Sequence, residues 1–108
     1  MEHEEYDIAW DVKATDRLKE IYEYIRDNYS EKSAEKIRDE LFNSVGILRK
    51  YPESGSREPM LRHLPENYRF VLVRKKYKII YEFTGTEIRI LYIHHTSQNP
   101  QNILKGIE

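Results

Sequence analysis

Two adjacent histidines, His94 and His95, close an apolar run, precede the polar stretch Thr96 to Asn99 ahead of Pro100, and are natural candidates for proton transfer near neutral pH. Successive side chains of a strand point to opposite faces, so the pair does not easily chelate one metal. There is no HExxH or His-x-His spacing, and no cysteine for a thiolate site or a thiol nucleophile. No metal is expected. The glycines stand apart at Gly46, Gly55, Gly85 and Gly106 and build no phosphate-cradling loop, so no nucleotide cofactor is expected either.

The second chemical resource is positive charge. Residues 57–78 contain Arg57, Arg62, Arg69, Arg74, Lys75, Lys76 and Lys78 against only Glu58 and Glu66, whereas residues 1–11 hold Glu2, Glu4, Glu5, Asp7 and Asp11 and no Lys or Arg. A local cationic patch on a chain of net charge −1 is compatible with an anionic partner but not with bulk coating of nucleic acid. Tyr68-Arg69 and Lys76-Tyr77-Lys78 interleave aromatic and basic residues, which suits a phosphodiester with a stacked base. They equally suit the solvated side of a hairpin with its tyrosines in the core, and with 9 tyrosines in the chain most must be structural. Arg69, at the start of a strand, is the cation best placed to be held by a buried neighbour.

The elements that must position these groups follow from periodicity. Tyr6, Ile8, Trp10 and Val12 alternate with polar or small residues, the period of a half-buried strand. Thr15 or Asp16 is placed to cap a first helix running to about Tyr29, with a stripe of Leu18, Ile21, Tyr22 and Ile25. Ser30 caps a second, whose stripe Ala34, Ile37, Leu41, Val45 and Leu48 ends before Pro52. Pro52, Ser54, Gly55, Ser56 and Pro59 mark a loop. Three β-rich runs follow, from Tyr68, Tyr77 and Glu87, joined at Arg74 to Lys76 and at Thr84-Gly85-Thr86. Together these predict a single α+β domain over residues 1–108, in the order β-α-α-β-β-β, with a helical hairpin packed on a mainly antiparallel four-stranded sheet. Apolar residues of both parities in the last two strands predict cover on both faces, one by the helices and the other by a partner.

The length gives one modest core. The absence of long apolar runs, with acidic residues after Met1, predicts neither a membrane span nor a signal peptide, and hence a cytoplasmic protein.

The series "SAEK", "Leu48…YPESG", "NYR", "YKIIYEF" and "IRILYIHHTSQNP", in register over nearly the whole chain, resembles the RelE/ParE superfamily of bacterial type II toxins, also known as the plasmid stabilisation protein family. The resemblance implies a growth-inhibiting toxin neutralised by a cognate antitoxin, with which it can form a hetero-oligomer. ParE-like members bind DNA gyrase, whereas RelE-like members cut mRNA on the ribosome. In the RelE-like case the catalytic residues would be Arg69, Lys76, Lys78, His94 and His95. Arg57, Arg62, Arg74, Lys75 and Tyr77 would bind the target or nucleic acid. The superfamily usually ends an apolar strand with His-x-Arg, two residues and Pro; His95-Thr96-Ser97-Gln98-Asn99-Pro100 keeps this frame with Ser97 in the arginine's place. Serine supplies no fixed charge, which favours the ParE-like alternative over the ribosome-dependent endonuclease. A non-toxic, antitoxin-binding member is the third.

Overall fold

A computed structural model describes residues 5–108; Glu2 and Glu4 of the acidic N-terminus lie outside them. The chain runs β1 (Asp7–Trp10), α1 (Val12–Asn28), α2 (Glu31–Asn43), a 3-10 turn (Gly46–Arg49), β2 (Ser56–Arg57), a second 3-10 turn (Pro59–Leu61), β3 (Tyr68–Val73), β4 (Tyr77–Phe83), β5 (Glu87–His95) and α3 (Gln101–Ile107). The sheet has 5 strands in the order β1-β5-β4-β3-β2, antiparallel except for β1 beside β5. The expected strands and helical hairpin are present. The additional strand, β2, is only two residues long and pairs Ser56 with Phe70 and Arg57 with Arg69.

The helix α1 starts earlier than Thr15, because the Asp11 carboxylate accepts the Lys13 amide at 3.0 Å and supplies the cap. Ser30 caps α2 as expected, its hydroxyl accepting the Ser33 amide at 3.0 Å. The apolar faces of both helices cover one side of the sheet. Ala14, Leu41, Val45 and Leu48 meet Tyr77, Ile79, Tyr81, Ile88, Ile90 and Ile93 there.

The other face is covered by the chain itself rather than by a partner. Ile80 packs with Leu61 of the second 3-10 turn and Ile103 of α3 in a smaller core. Gly106 allows this approach: a Cβ there would lie 2.8 Å from the Tyr92 ring. Lys13 ties down the end of α3 by donating to the Gly106 and Glu108 carbonyls.

The mixed parity of β5 also has a local cause. Ile80 pairs with Tyr92 but Tyr81 pairs with Ile90, so Leu91 is a bulged residue. One extra residue shifts the phase, and Ile90 and Ile93 both reach the helix side although their numbers differ in parity. The β3–β4 turn is tight, with Arg74 and Lys75 at φ 56° and 58° and the Lys76 amide donating to the Val73 carbonyl at 3.0 Å. Left-handed conformations are costly for such side chains. This one is braced by Arg74 on Glu40 of α2, at 2.8 Å, and by the Thr96 hydroxyl on the Lys75 carbonyl, at 3.0 Å.

Candidate functional site

The alternation of β5 splits the two histidines between the faces of the sheet. His95 pairs with Tyr77 on the helix side, their rings meeting edge-on at 5.3 Å. His94 pairs with Lys78 on the α3 side and is only 2 % exposed.

The α3-side cluster is a covered ion pair beside a buried histidine. The Lys78 ammonium donates to Glu58 Oε1 at 2.9 Å and sits 4.2 Å from the centroid of the Phe70 ring. The Glu58 side chain is fully buried, and its Oε2 accepts the Met60 amide at 2.9 Å, capping the second 3-10 turn. His94 Nδ1 is buried and has no hydrogen-bond partner among the described residues. Burial, and then the positive charge of Lys78, push the His94 pKa below its ordinary value. A neutral histidine in the fold against a protonating one in the unfolded chain means that the unfolded state binds more protons between the two pKa values. Stability is then complete above about pH 6.5 and is lost as pH falls through the folded-state value. Urea midpoints measured from pH 7.5 down to 5 are expected to fall with pH in the wild type, and to fall less in His94→Gln. Equal slopes for the two proteins would contradict this reading.

Arg69 is not a free cation. Its Nη1 donates to the carbonyls of Glu53 and Gly55 at 3.1 and 2.9 Å, its Nε donates to Asn67 at 3.0 Å, and its Nη2 lies 3.6 Å from the Glu53 carboxylate. These bonds fasten the loop after Pro52 to β3. Arg57, Arg62 and Lys75 are exposed, with no side-chain hydrogen bond or ion pair among the described residues. They are spread over β2, the second 3-10 turn and the β3–β4 turn, and do not join the histidines.

A cavity of about 770 Å³ opens between the helical hairpin and the β4–β5 end of the sheet. Its wall is apolar and aromatic: Ile21, Tyr24, Ile25, Tyr29 and Ile37. Tyr24 and Tyr29 are 62 % and 75 % exposed. Arg17, Glu20 and Ser33 line the cavity from the helices, and Arg74, Lys76, Tyr77, His95, Ser97 and Gln98 form a polar mouth at the sheet end. Burial pushes the Tyr77 hydroxyl pKa up, keeping it a neutral phenol. Here the structure brings together four of the residues singled out in the sequence, Arg74, Lys76, Tyr77 and His95, while Lys78 and His94 point to the opposite face.

Three further roles escaped the sequence reading. Glu58 was visible only as one of two acids in a basic stretch. Arg17 donates through Nε to the Ile93 carbonyl at 3.1 Å, beyond the end of β1, and lies over Tyr92. Ser97 fixes His95, since both its amide (3.1 Å) and its hydroxyl (2.7 Å) reach Nδ1. No group of three or more His, Cys, Asp or Glu able to hold a metal occurs among the described residues. No described helix is long and apolar enough to cross a membrane.

A helical hairpin on a five-stranded, mainly antiparallel sheet, with a short C-terminal helix on the far face, is the α+β architecture of the RelE/ParE superfamily. Residues 8–100 match the family described as "ParE toxin of type II toxin-antitoxin system, parDE", and the chain belongs to that family. Among solved structures, a chain of the "Chromosomal ParDE TA system from P. aeruginosa" superposes with a TM-score of 0.71 at 22% identity, covering 83% of this chain and 95% of that one. No curated protein matches.

Proposed function

We propose that this protein arrests growth in the cytoplasm by binding a protein target, DNA gyrase, and is neutralised by a cognate antitoxin that lies in the groove beside α1 and α2. The observation that carries the reading is the wall of that groove. Tyr24 on α1 and Tyr29 at its C-terminal cap stay exposed while Ala14, Ala34 and Leu41 of the hairpin are buried, and such an apolar stripe beside a polar rim suits an amphipathic segment of another protein. The disposition of the cations supports the same choice. Arg69 is spent on a loop and Lys78 on Glu58, which leaves neither free for a phosphodiester.

A ribosome-dependent mRNA endonuclease is the second reading. The observation in its favour is that Glu58, Lys78 and His94 share one face, where acid, cation and base would be wanted. These groups are covered, and His94 would need to be exposed to act. Purified protein is expected to inhibit ATP-dependent supercoiling of relaxed plasmid by gyrase, and to leave mRNA intact in a reconstituted translation reaction read by primer extension. Unimpaired supercoiling together with A-site cuts that vanish in His94→Gln would replace the first reading by the second.

A further inference from the structure

The mouth of the groove carries more chemistry than an apolar docking surface needs. The Ser97 amide donates to His95 Nδ1, so that nitrogen is an acceptor and the ring proton resides on Nε2. The Nε2–H makes no hydrogen bond among the described residues, and the ring lines the groove. The Lys76 ammonium lines the same mouth and has no hydrogen bond or ion pair among them either. Its place is set by the backbone: it directly follows the two left-handed residues of the β3–β4 turn, and its carbonyl accepts the Thr96 amide at 2.8 Å. The two left-handed residues are what a tight hairpin turn demands, and they fix where the Lys76 side chain leaves the backbone. Arg74, also at the mouth, is already engaged by both oxygens of Glu40, at 2.9 and 3.0 Å.

One free ammonium and one neutral N–H donor therefore face the open end of an apolar groove. We infer that this mouth is a carboxylate subsite: Lys76 and His95 receive an Asp, Glu or chain-terminal carboxylate of the amphipathic polypeptide that fills the groove. The charge count selects this ligand. A carboxylate carries one negative charge and two acceptor oxygens, matching one ammonium and one N–H. A phosphate monoester near −2 would leave about one charge unmatched, because Arg74 is held by Glu40 and Arg17, which also lines the cavity, is paired with Glu20 at 2.9 Å. The apolar wall of Ile21, Tyr24 and Ile25 continues from this point, so the carboxylate marks one end of the bound segment and fixes its direction.

The inference rests on the groove being a polypeptide site, and the experiment separates the two. A library of random 16-residue peptides displayed on phage is selected on the whole protein, and an enriched sequence is synthesised with its Asp or Glu intact and with that residue as Asn or Gln. Enriched sequences are expected to carry Asp or Glu at a fixed offset from an i, i+3, i+7 apolar stripe. The acidic peptide should bind wild type about tenfold more tightly than its amide twin, as a charge-assisted hydrogen bond provides. The twins should bind Lys76→Met alike. Lys76 is exposed in a turn, so that variant keeps the fold.

Discrimination that persists in Lys76→Met, or enriched peptides with no fixed carboxylate, would overturn the subsite while leaving the groove. Displacement of the peptide by inorganic phosphate at lower concentration than by acetate would overturn the choice of a monoanion. Peptides that bind Ile25→Asp as well as wild type, or no enrichment at all, would overturn the groove reading and the subsite with it.

Discussion

Lys78→Met is expected to cost about 3 kcal/mol of folding stability, and adding Glu58→Gln in the same chain to return most of it. The asymmetry follows from burial. The Glu58 side chain has no exposure, whereas that of Lys78 is 22 % exposed. Removing the cation strands a carboxylate with one oxygen on the Met60 amide and the other facing an apolar cluster, and an uncompensated buried charge is among the most costly defects a fold can carry. Removing the charge of Glu58 alone frees an ammonium that can turn toward water, at about 1 kcal/mol. In the double variant the introduced glutamine keeps a carbonyl for the Met60 amide, and the introduced methionine keeps the contact with Phe70. Urea denaturation of the four proteins closes the cycle. A coupling below about 1 kcal/mol would mean that water reaches Glu58 and that the α3-side cover is loose. The His94 resonance is a second readout, since loss of the neighbouring positive charge moves its titration upward.

That cycle also explains why a basic stretch offers fewer free cations than its count suggests. Arg69, Arg74 and Lys78 are each bound within the chain, to the loop after Pro52, to Glu40 and to Glu58. The charge on Glu40 is in turn held by the Arg74 hydrogen bond, which keeps its pKa below the ordinary range. A linear count of Lys and Arg in residues 57–78 registers none of this. Of the two acids there, Glu58 was the informative one, because a carboxylate directly before Pro59 caps a turn and so points inward.

The elements with a strong period were legible in the sequence, both long helices, β1 and the three-stranded meander, although Val12, read with β1, opens α1, and Val45 and Leu48, read with the second helix, fall beyond Asn43 at the 3-10 turn. What escaped was set by contacts rather than by period. The β2 strand, two residues long, exists only because β3 offers it an edge. The bulge at Leu91 shifts the phase of β5, and the second cover on that strand comes from the chain's own α3 and second 3-10 turn. The α3 helix is seven residues long and is held by Ile103, by the Gly106–Tyr92 approach and by Lys13, none of which is local. The turn at Arg74-Lys75 lacks the Asn-Gly signature of left-handed pairs and depends on Glu40 and Thr96 for its support. For the site, the opposed directions of His94 and His95 were predictable from alternation, but the Ser97 contact that fixes the His95 tautomer was not. It turns a residue that cannot replace an arginine's charge into one that orients a donor.

Gly55→Ala is expected to lose about 3 kcal/mol, a fall in melting temperature on the order of 15 °C for a domain of this size. The site is closed on several sides. A Cβ would stand 2.5 Å from the Tyr81 hydroxyl oxygen and 2.7 Å from the Phe70 carbonyl oxygen. The hydroxyl cannot simply withdraw: it accepts the Gly55 amide at 3.0 Å and donates to the Pro52 carbonyl at 2.8 Å, on a side chain with no exposure. The carbonyl belongs to a strand residue paired on both sides, with Ser56 and with Ile80. Nor can the loop swing outward freely, because Arg69 grips the Gly55 and Glu53 carbonyls. The methyl group must therefore break the Tyr81 bonds or detach the loop from β3, and either leaves buried polar groups unpaired. Gly46→Ala is the matched control. Nothing lies within 4 Å of its Cβ position, and its stability should stay within about 0.5 kcal/mol of wild type, as is usual for surface substitutions. If Gly55→Ala matched Gly46→Ala, the loop would be free to move and Arg69 would be an available cation after all, which would reopen the phosphodiester reading that its bonds argue against.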